Sequence, residues 1–157
     1  MVTYEGSVGI AQLRAKIKQK SKLLIGESLE KITTVLVDDS PLGAEYYSSK
    51  QGLIQNDSGD FKNSWTVGLG APDPSTRAAD TTGASAVADA ITKGKLYNLQ
   101  EVSYITNNVD HAEMVENGWE ANPIYGWKAK DGYHVVANNV STANAILEAV
   151  ADKVSKL

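Results

Sequence analysis

Residues Tyr104–Trp119 read YITNNVDHAEMVENGW, and the change of pattern within this stretch decides the fold. It begins with the two-residue alternation typical of a strand and then turns at two asparagines. Asp110 is a suitable helix N-cap, with Glu113 at the acidic position of a capping box. Gly118 is the residue type that most often ends a helix in a left-handed conformation. The stretch therefore predicts a strand and a short helix that ends at Gly118, followed by Trp119. Such a unit suits packing and docking better than chemistry.

Two longer helices flank this unit. Residues 7–37 have apolar residues at a spacing of three and four, which predicts one long helix. It would be about 45 Å long, so we expect it to extend beyond its own domain and to contact a neighbour. Gly26 would cost about 1 kcal/mol relative to alanine if exposed. Residues 133–156 predict a second helix. Its apolar seam consists of Val136, Val140, Ala143, Leu147, Val150 and Val154.

The segments between the helices predict a small sheet. Trp65–Leu69 has a strand pattern, and one helical turn precedes it, which Asp57 or Ser58 would cap and Phe61 would anchor. Leu96–Asn107 is a second strand region, with a change of phase that indicates a turn or a bulge. These segments are typical of short strands that pack on helices.

The remaining segments are predicted as connections. The chain between the long helix and Gln55 is polar and predicts an irregular connection. Residues 70–82 contain two prolines and no periodicity, which predicts an exposed loop that a partner would order. Ala84–Ile91 predicts a short helix with Val87 and Ile91 facing inward, ended by the residues around Gly94.

Together these elements predict an α+β fold in a single domain of residues 1–157. Residues 7–37 would form the long N-terminal helix, and residues 56–157 the α+β core. In that core, a small antiparallel sheet would be packed by the C-terminal helix. A chain of 157 residues is long enough for one domain with an ordinary hydrophobic core.

Composition narrows the possible functions. The chain has no cysteine, which excludes disulfides, zinc–thiolate sites and cysteine nucleophiles. Its formal net charge of −4 gives no overall signature of nucleic-acid binding. No apolar run approaches the roughly 20 residues of a membrane helix, and the N-terminal residues lack the pattern of a signal peptide. We therefore expect a soluble protein that stays in the cytoplasm unless assembly carries it elsewhere.

The long helix contains a basic run without any acidic residue, Arg14, Lys16, Lys18, Lys20 and Lys22. Alternate residues of a helix point in different directions, so this run is typical of a solvated helix surface. It also suits a patch for nucleic acid or for an acidic protein face. A small adaptor that binds such a partner through this helix therefore stays open as an alternative function.

No residue pattern meets the requirements of a catalytic site. A metal site would draw on His111, Glu113, Glu116 and His134, but the His-Glu-x-x-His spacing is missing. Glycine-rich phosphate loops and the Gly-x-Ser-x-Gly nucleophile motif are missing as well. The sequence thus predicts no catalytic residue, no metal and no cofactor. A hydrolase with a site around His111 or His134 stays open as a second alternative, and it would need an enclosed pocket that contains a histidine and an acid.

Two blocks of the sequence carry a resemblance to a known family. Asp57–Trp65 reads DSGDFKNSW and is similar to an Asp-Thr-Gly-x-Leu-x-x-Ser signature, with Ser58 at the threonine position and Phe61 at the leucine position. The second block, Ile105–Trp119, is similar to a segment with tyrosine-alanine followed by valine-glutamate-x-glycine, with His111 in place of the tyrosine. In this order the two blocks resemble the head–tail joining or tail completion family of tailed-phage neck proteins.

The resemblance implies a structural virion protein without catalysis or cofactor. Its copies would form a ring, expected to be a hexamer, between the head connector and the tail. Its partners would be further copies of itself, the neighbouring connector or head-closure protein, and the tail terminator or tail tube protein. Genomic DNA would pass through the lumen without sequence readout, and a lumen that is not basic would let it slide. The protein would be located in the neck of the virion after assembly in the host cytoplasm.

We expect the subunit contacts of such a ring at the end of the central unit, in the aromatic segment that follows it, and on the long helix. The candidate interface residues are Trp119, Glu116, Tyr125, Trp127, Leu24 and Leu29.

Overall fold

The structure, a computed structural model, describes residues 5–42, 44–48, 52–56, 58–99, 101–124 and 128–157. The helices formed by these residues are α1 (Glu5–Asp39), α2 (Asp60–Asn63), α3 (Ala84–Leu96), α4 (Ala112–Asn117) and α5 (Val135–Ser155). The strands are β1 (Ala44–Ser48), β2 (Gly52–Asn56), β3 (Trp65–Leu69), β4 (Ser103–Asn107), β5 (Gly118–Trp119) and β6 (Lys130–Asp131). They form the antiparallel pairs β1–β2, β3–β4 and β5–β6. The α+β class, with its long N-terminal helix, small antiparallel sheets and C-terminal helix, is confirmed.

Helix α1 organises the fold because both other long helices pack along it. Helix α5 runs antiparallel to α1. At the start of α5 the Asn139 Nδ2 donates to the Asp39 carboxylate over 2.7 Å, and at its end Lys20 Nζ donates to the Ser155 carbonyl over 3.0 Å. The residues of α1 before Lys20 therefore extend past the end of α5, as the length of the helix predicts. Among the described residues, no helix combines the length and apolar composition that a membrane span needs.

Helices α1 and α3 touch through glycine. A Cβ atom at Gly94 would lie 2.7 Å from the Gly26 Cα, so the two backbones meet without side chains between them. Ala86, Ala90 and Gly94 are buried at intervals of four residues and form the face of α3 that lies on α1. Gly26 is thus a packing residue, not an exposed weak point. The predicted end of α3 near Gly94 is wrong, because the helix continues to Leu96.

The β3–β4 pair lies under α3. Its central residue Val67 is fully buried and pairs with Ile105 of β4. The outer edge of β3 is covered by side chains: the Val67 N–H donates to the Asp89 carboxylate over 3.1 Å, and Arg77 Nε donates to the Trp65 carbonyl over 3.4 Å. Arg77 and Asp89 also form an ion pair of 2.8 Å. Two backbone groups on this edge, the Val67 N–H and the Trp65 carbonyl, therefore have side-chain partners.

A second part of the core joins the end of α1 to the sheet and to α5. Phe61 and Trp65 pack edge to face with ring centres 5.8 Å apart, and Val115 and Val135 belong to the same buried cluster. The Trp65 indole N–H donates over 2.8 Å to the Ser40 hydroxyl, which donates to the last turn of α1. Phe61 thus anchors its helical turn as predicted, and the start of α5 contributes to the packing of this core.

Three local predictions are wrong. Residues 44–48 and 52–56 form the paired antiparallel strands β1 and β2 instead of an irregular connection, because the tyrosines and the isoleucine in these segments favour a strand. Residues 96–99 are not a strand, since α3 continues through Leu96 and the Glu101 N–H then donates to the Asn98 carbonyl over 3.0 Å. The N-cap of α2 is Gly59 in a left-handed conformation instead of Asp57 or Ser58, and Asp57 lies outside the described residues.

Residues 70–82 form an exposed loop without regular structure, as predicted, but the chain itself holds this loop in place. Asn108 Nδ2 donates to the Asp73 carbonyl over 2.7 Å, and Asn63 Nδ2 donates to the Ala78 carbonyl over 2.7 Å. The Arg77 ion pair with α3 adds a third attachment. These contacts hold the loop without a partner, so the expectation that a partner would order it is wrong.

The glycine contact predicts the effect of two matched substitutions. Gly94→Ala should lower the free energy of unfolding by roughly 1–3 kcal/mol, because the new methyl group forces α1 and α3 apart. Gly9→Ala, in the exposed part of α1 with no atom within 4 Å of the new methyl, should leave it unchanged or raise it by up to about 1 kcal/mol. Urea unfolding at one protein concentration measures both. Equal stabilities for the two variants would contradict the close contact.

Candidate functional site

The N-terminal part of α1, residues 9–19, extends away from the other helices and is exposed along its whole length. Ile10, Leu13 and Ile17 lie at a spacing of three and four residues and keep 57%, 58% and 53% of their surface accessible. A row of large apolar side chains on one helix face is the pattern by which a helix docks on a partner. We call residues 9–19 the overhang.

Helix α5 also leaves apolar side chains uncovered. The predicted seam is divided: Val150 and Val154 are buried, whereas Val136, Val140 and Leu147 are 46%, 54% and 38% exposed. The start of α5 is rotated about the helix axis relative to the prediction. Val135 and Asn139 are buried there in place of Val136 and Val140. The hydrogen bond from the Asn139 amide to the carboxylate of Asp39 at the end of α1 fixes this orientation. We call Val136, Val140 and Leu147 the α5 stripe.

These two apolar surfaces carry opposite charge. Residues 6–26 of α1 contain the five basic residues of the sequence-predicted run and no acidic residue. Helix α5 contains two exposed acids, Glu148 and Asp152, and one basic residue, Lys153, which is paired with Glu27 of α1 over 2.8 Å. The overhang is therefore a cationic apolar helix, and the α5 stripe lies on an anionic one.

The unit at residues 104–119 holds the start of α5. Gly118 ends α4 with φ of 72°, as predicted. The Tyr133 and His134 N–H groups donate to the Val115 and Glu116 carbonyls over 2.8 and 3.0 Å, so the chain before α5 runs along the end of α4. The Glu116 carboxylate accepts from the N–H groups of the first turn of α5, at 3.1 Å from Val136 N and 3.2 Å from Ala137 N. An acid of one helix thus caps the next helix.

The predicted N-cap of α4 is wrong. His111, not Asp110, occupies the N-cap position, and its side chain makes no capping bond. The imidazole is instead buried, with Nε2 3.6 Å from the Asp60 carboxylate and the ring 6.5 Å from that of Phe61. Helix α4 therefore begins one residue later than predicted, directly after the buried His111.

The predicted interface residues have different surroundings. Trp119 is partly buried, and its indole N–H donates to the Lys128 carbonyl over 2.9 Å. Glu116 is engaged in capping α5, and Leu24 is half-buried. Leu29 is buried against Val67 and Ala90, so its prediction as an interface residue is wrong because it packs within the chain. The remaining two candidates, Tyr125 and Trp127, lie outside the described residues.

In the described residues each histidine lies beside a different carboxylate. His134 starts α5, with Nε2 3.1 Å from the exposed Asp131 carboxylate, whereas His111 is buried at the N-cap of α4. Within the described part of the chain, no three histidine or acidic side chains are close enough to hold a metal ion. The open groove beside α4, of about 370 Å³, is lined by Glu113 and Glu116 but by neither histidine.

Burial decides the protonation of His111. It lowers the pKa of the imidazole below its ordinary value of 6.5, against the opposing effect of the Asp60 and Asp110 carboxylates. The side chain is therefore kept neutral within the folded core.

The sequence does not predict which apolar residues stay exposed. The apolar spacing of α1 and α5 is clear, but the exposure depends on where α5 ends beside α1. The useful signal is the difference in length between the two helices, 35 residues against 21. Comparison with models of protein families, with curated proteins and with solved structures gives no match.

Glu116→Ala should lower the free energy of unfolding by about 1 kcal/mol, because two N–H groups at the start of α5 lose their acceptor. Glu113→Ala removes an exposed acid from the same helix and should change it by less than about 0.5 kcal/mol. Thermal or urea unfolding compares the two. A Glu113→Ala variant as unstable as Glu116→Ala would contradict the capping role.

The lowered pKa of His111 predicts a pH dependence of stability. Below about pH 6.5 the unfolded chain binds a proton that the folded chain does not, so the free energy of unfolding should fall as the pH is lowered from 6.5 toward the folded pKa. His111→Gln should flatten this slope below about pH 6.5. His134→Gln, which alters the exposed histidine, should keep it. Urea unfolding across this range tests both, and an unchanged slope in His111→Gln would assign the effect to other groups.

Proposed function

We propose that this protein is a structural component of a tailed-phage neck, whose copies form a ring that joins the head connector to the tail. The observation that supports the proposal best is the overhang, a helix segment that presents Ile10, Leu13 and Ile17 to solvent outside its own core. A segment of this kind is suited to a contact between subunits. In the described residues the histidines and acids form no reaction centre, which fits a role in assembly.

The ring would form through unlike surfaces. The overhang and the α5 stripe lie at different places on the same chain, so a contact between them joins the front of one copy to the back of the next. Contacts of this heterologous kind close into a ring when the rotation between copies allows it. In this ring the basic residues Lys16 to Lys22 would lie between subunits and not along the lumen, so DNA would meet no cationic lining.

The exposed basic side chains of Arg14, Lys16 and Lys18 favour one other function. A small adaptor would use the overhang to bind nucleic acid or an acidic protein. It predicts that the isolated protein binds DNA in a salt-dependent manner and that substitution of Lys18 and Lys20 abolishes the binding. The neck proposal predicts no such binding by the assembled protein.

The assembly is tested by native mass measurement and negative-stain imaging of the purified protein, alone and mixed with phage tails. We expect rings and decorated tail ends. The double variant Leu13→Asp/Ile17→Asp should remove the rings by placing two charges in the apolar row, and should keep the helical circular dichroism because both side chains are exposed.

The matched control is Gln12→Asp/Gln19→Asp, which adds the same two charges to exposed polar positions of α1. This control should assemble like the unmodified protein. Assembly that survives Leu13→Asp/Ile17→Asp would exclude the overhang as the contact. A protein that stays monomeric at all concentrations, with and without tails, would exclude the proposed function.

A further inference from the structure

We infer that the α5 stripe of a second copy is the surface that receives the overhang, so that each subunit donates its first helix to the last helix of its neighbour. The inference rests on the proposed function and identifies the contact by which the ring would close. The occupant of the stripe is therefore another copy of this chain.

The geometry rules out the same contact within one chain. Val140 lies beside the C-terminal end of α1, because its neighbour Asn139 is bonded to Asp39 over 2.7 Å. Leu13 lies at the other end of the same helix, about 39 Å away along its axis. The overhang cannot bend back to cover the α5 stripe, so only a second copy can bring the two together.

The two apolar rows match in spacing. Ile10, Leu13 and Ile17 are separated by three and four residues. The α5 stripe has a similar spacing. Val136 and Val140 are four residues apart, and Leu147 follows seven residues after Val140. Rows that repeat every 3.5 residues on average can interdigitate along the full length of a helix pair.

Charge decides between the possible pairings. Two overhangs in contact would bring together six basic side chains without an acid, since each contributes Arg14, Lys16 and Lys18. Two copies of α5 would juxtapose the acids Glu148 and Asp152 of each, because the one basic residue of α5, Lys153, is paired with Glu27 of α1 over 2.8 Å. The unlike pairing places Arg14, Lys16 and Lys18 next to Glu148 and to Glu113, which lines the groove beside Val136. Complementary charge of this kind selects the partner and its orientation.

Because the chain has no cysteine, an introduced pair reports this contact without background. The double variant Leu13→Cys/Val140→Cys should form intermolecular disulfides under mild oxidation. Non-reducing electrophoresis should then show a ladder that ends at the copy number of the ring, and reductant should collapse it to monomer. A disulfide needs Cα atoms within about 7 Å of each other, so the ladder requires that the two surfaces touch.

The matched control is Leu13→Cys/Ala145→Cys. Ala145 is exposed on α5 and lies on the opposite side of the helix from the α5 stripe, at 100° per residue. This control should stay monomeric on the gel. The single variants Leu13→Cys and Val140→Cys should also give no covalent product.

The outcomes separate this inference from the proposed function. Rings without a ladder in the Leu13→Cys/Val140→Cys protein would overturn the inferred docking surface and leave the ring in place. Covalent dimers of either single variant would overturn it as well, because like surfaces would then be in contact. A native mass of one subunit at every concentration, with no covalent product, would overturn both the docking surface and the ring.

Discussion

The close contact of Gly26 with Gly94 is the constraint on which the rest of the structure depends. Because neither residue has a side chain, α3 can lie directly on α1, and its small residues Ala86 and Ala90 continue the contact. This position of α3 places Asp89 at the outer edge of β3, where it accepts from the Val67 N–H. The position of the β3–β4 pair thus depends on the packing of α3 on α1. That packing in turn depends on glycine at positions 26 and 94.

A second set of contacts makes the end of α4 and the start of α5 one unit. Backbone bonds from Tyr133 and His134 reach the last carbonyls of α4, and the Glu116 carboxylate caps the first turn of α5. With Asn139 bonded to Asp39, these contacts fix the rotation of α5 about its axis. That rotation buries Val135 and leaves Val136 and Val140 in solvent, so the exposed stripe is a consequence of capping and not of composition.

The sequence predicts the elements of this fold better than it predicts their contacts. Helix α1, helix α5 and strand β3 follow from periodicity alone, since each has a long or regular pattern. The predicted role of Gly26 is wrong because its use depends on Gly94, far away in the sequence, and local propensity contains no information about that pairing. The N-cap of α4 is wrong for a similar reason: Asp110 has the better local chemistry, but burial of His111 against Phe61 and Asp60 decides where the helix starts. Candidate interface residues share this difficulty, because exposure depends on which helix ends first.

The ion pair between Arg77 and Asp89 has a consequence for the behaviour of the free protein. Strand edges with unpaired N–H and carbonyl groups are templates on which other chains aggregate. On β3 two of these groups are already used, the Val67 N–H by Asp89 and the Trp65 carbonyl by Arg77. A foreign strand would have to displace two charged side chains from each other before it could pair there. The loop that carries Arg77 therefore hinders edge-to-edge aggregation at β3.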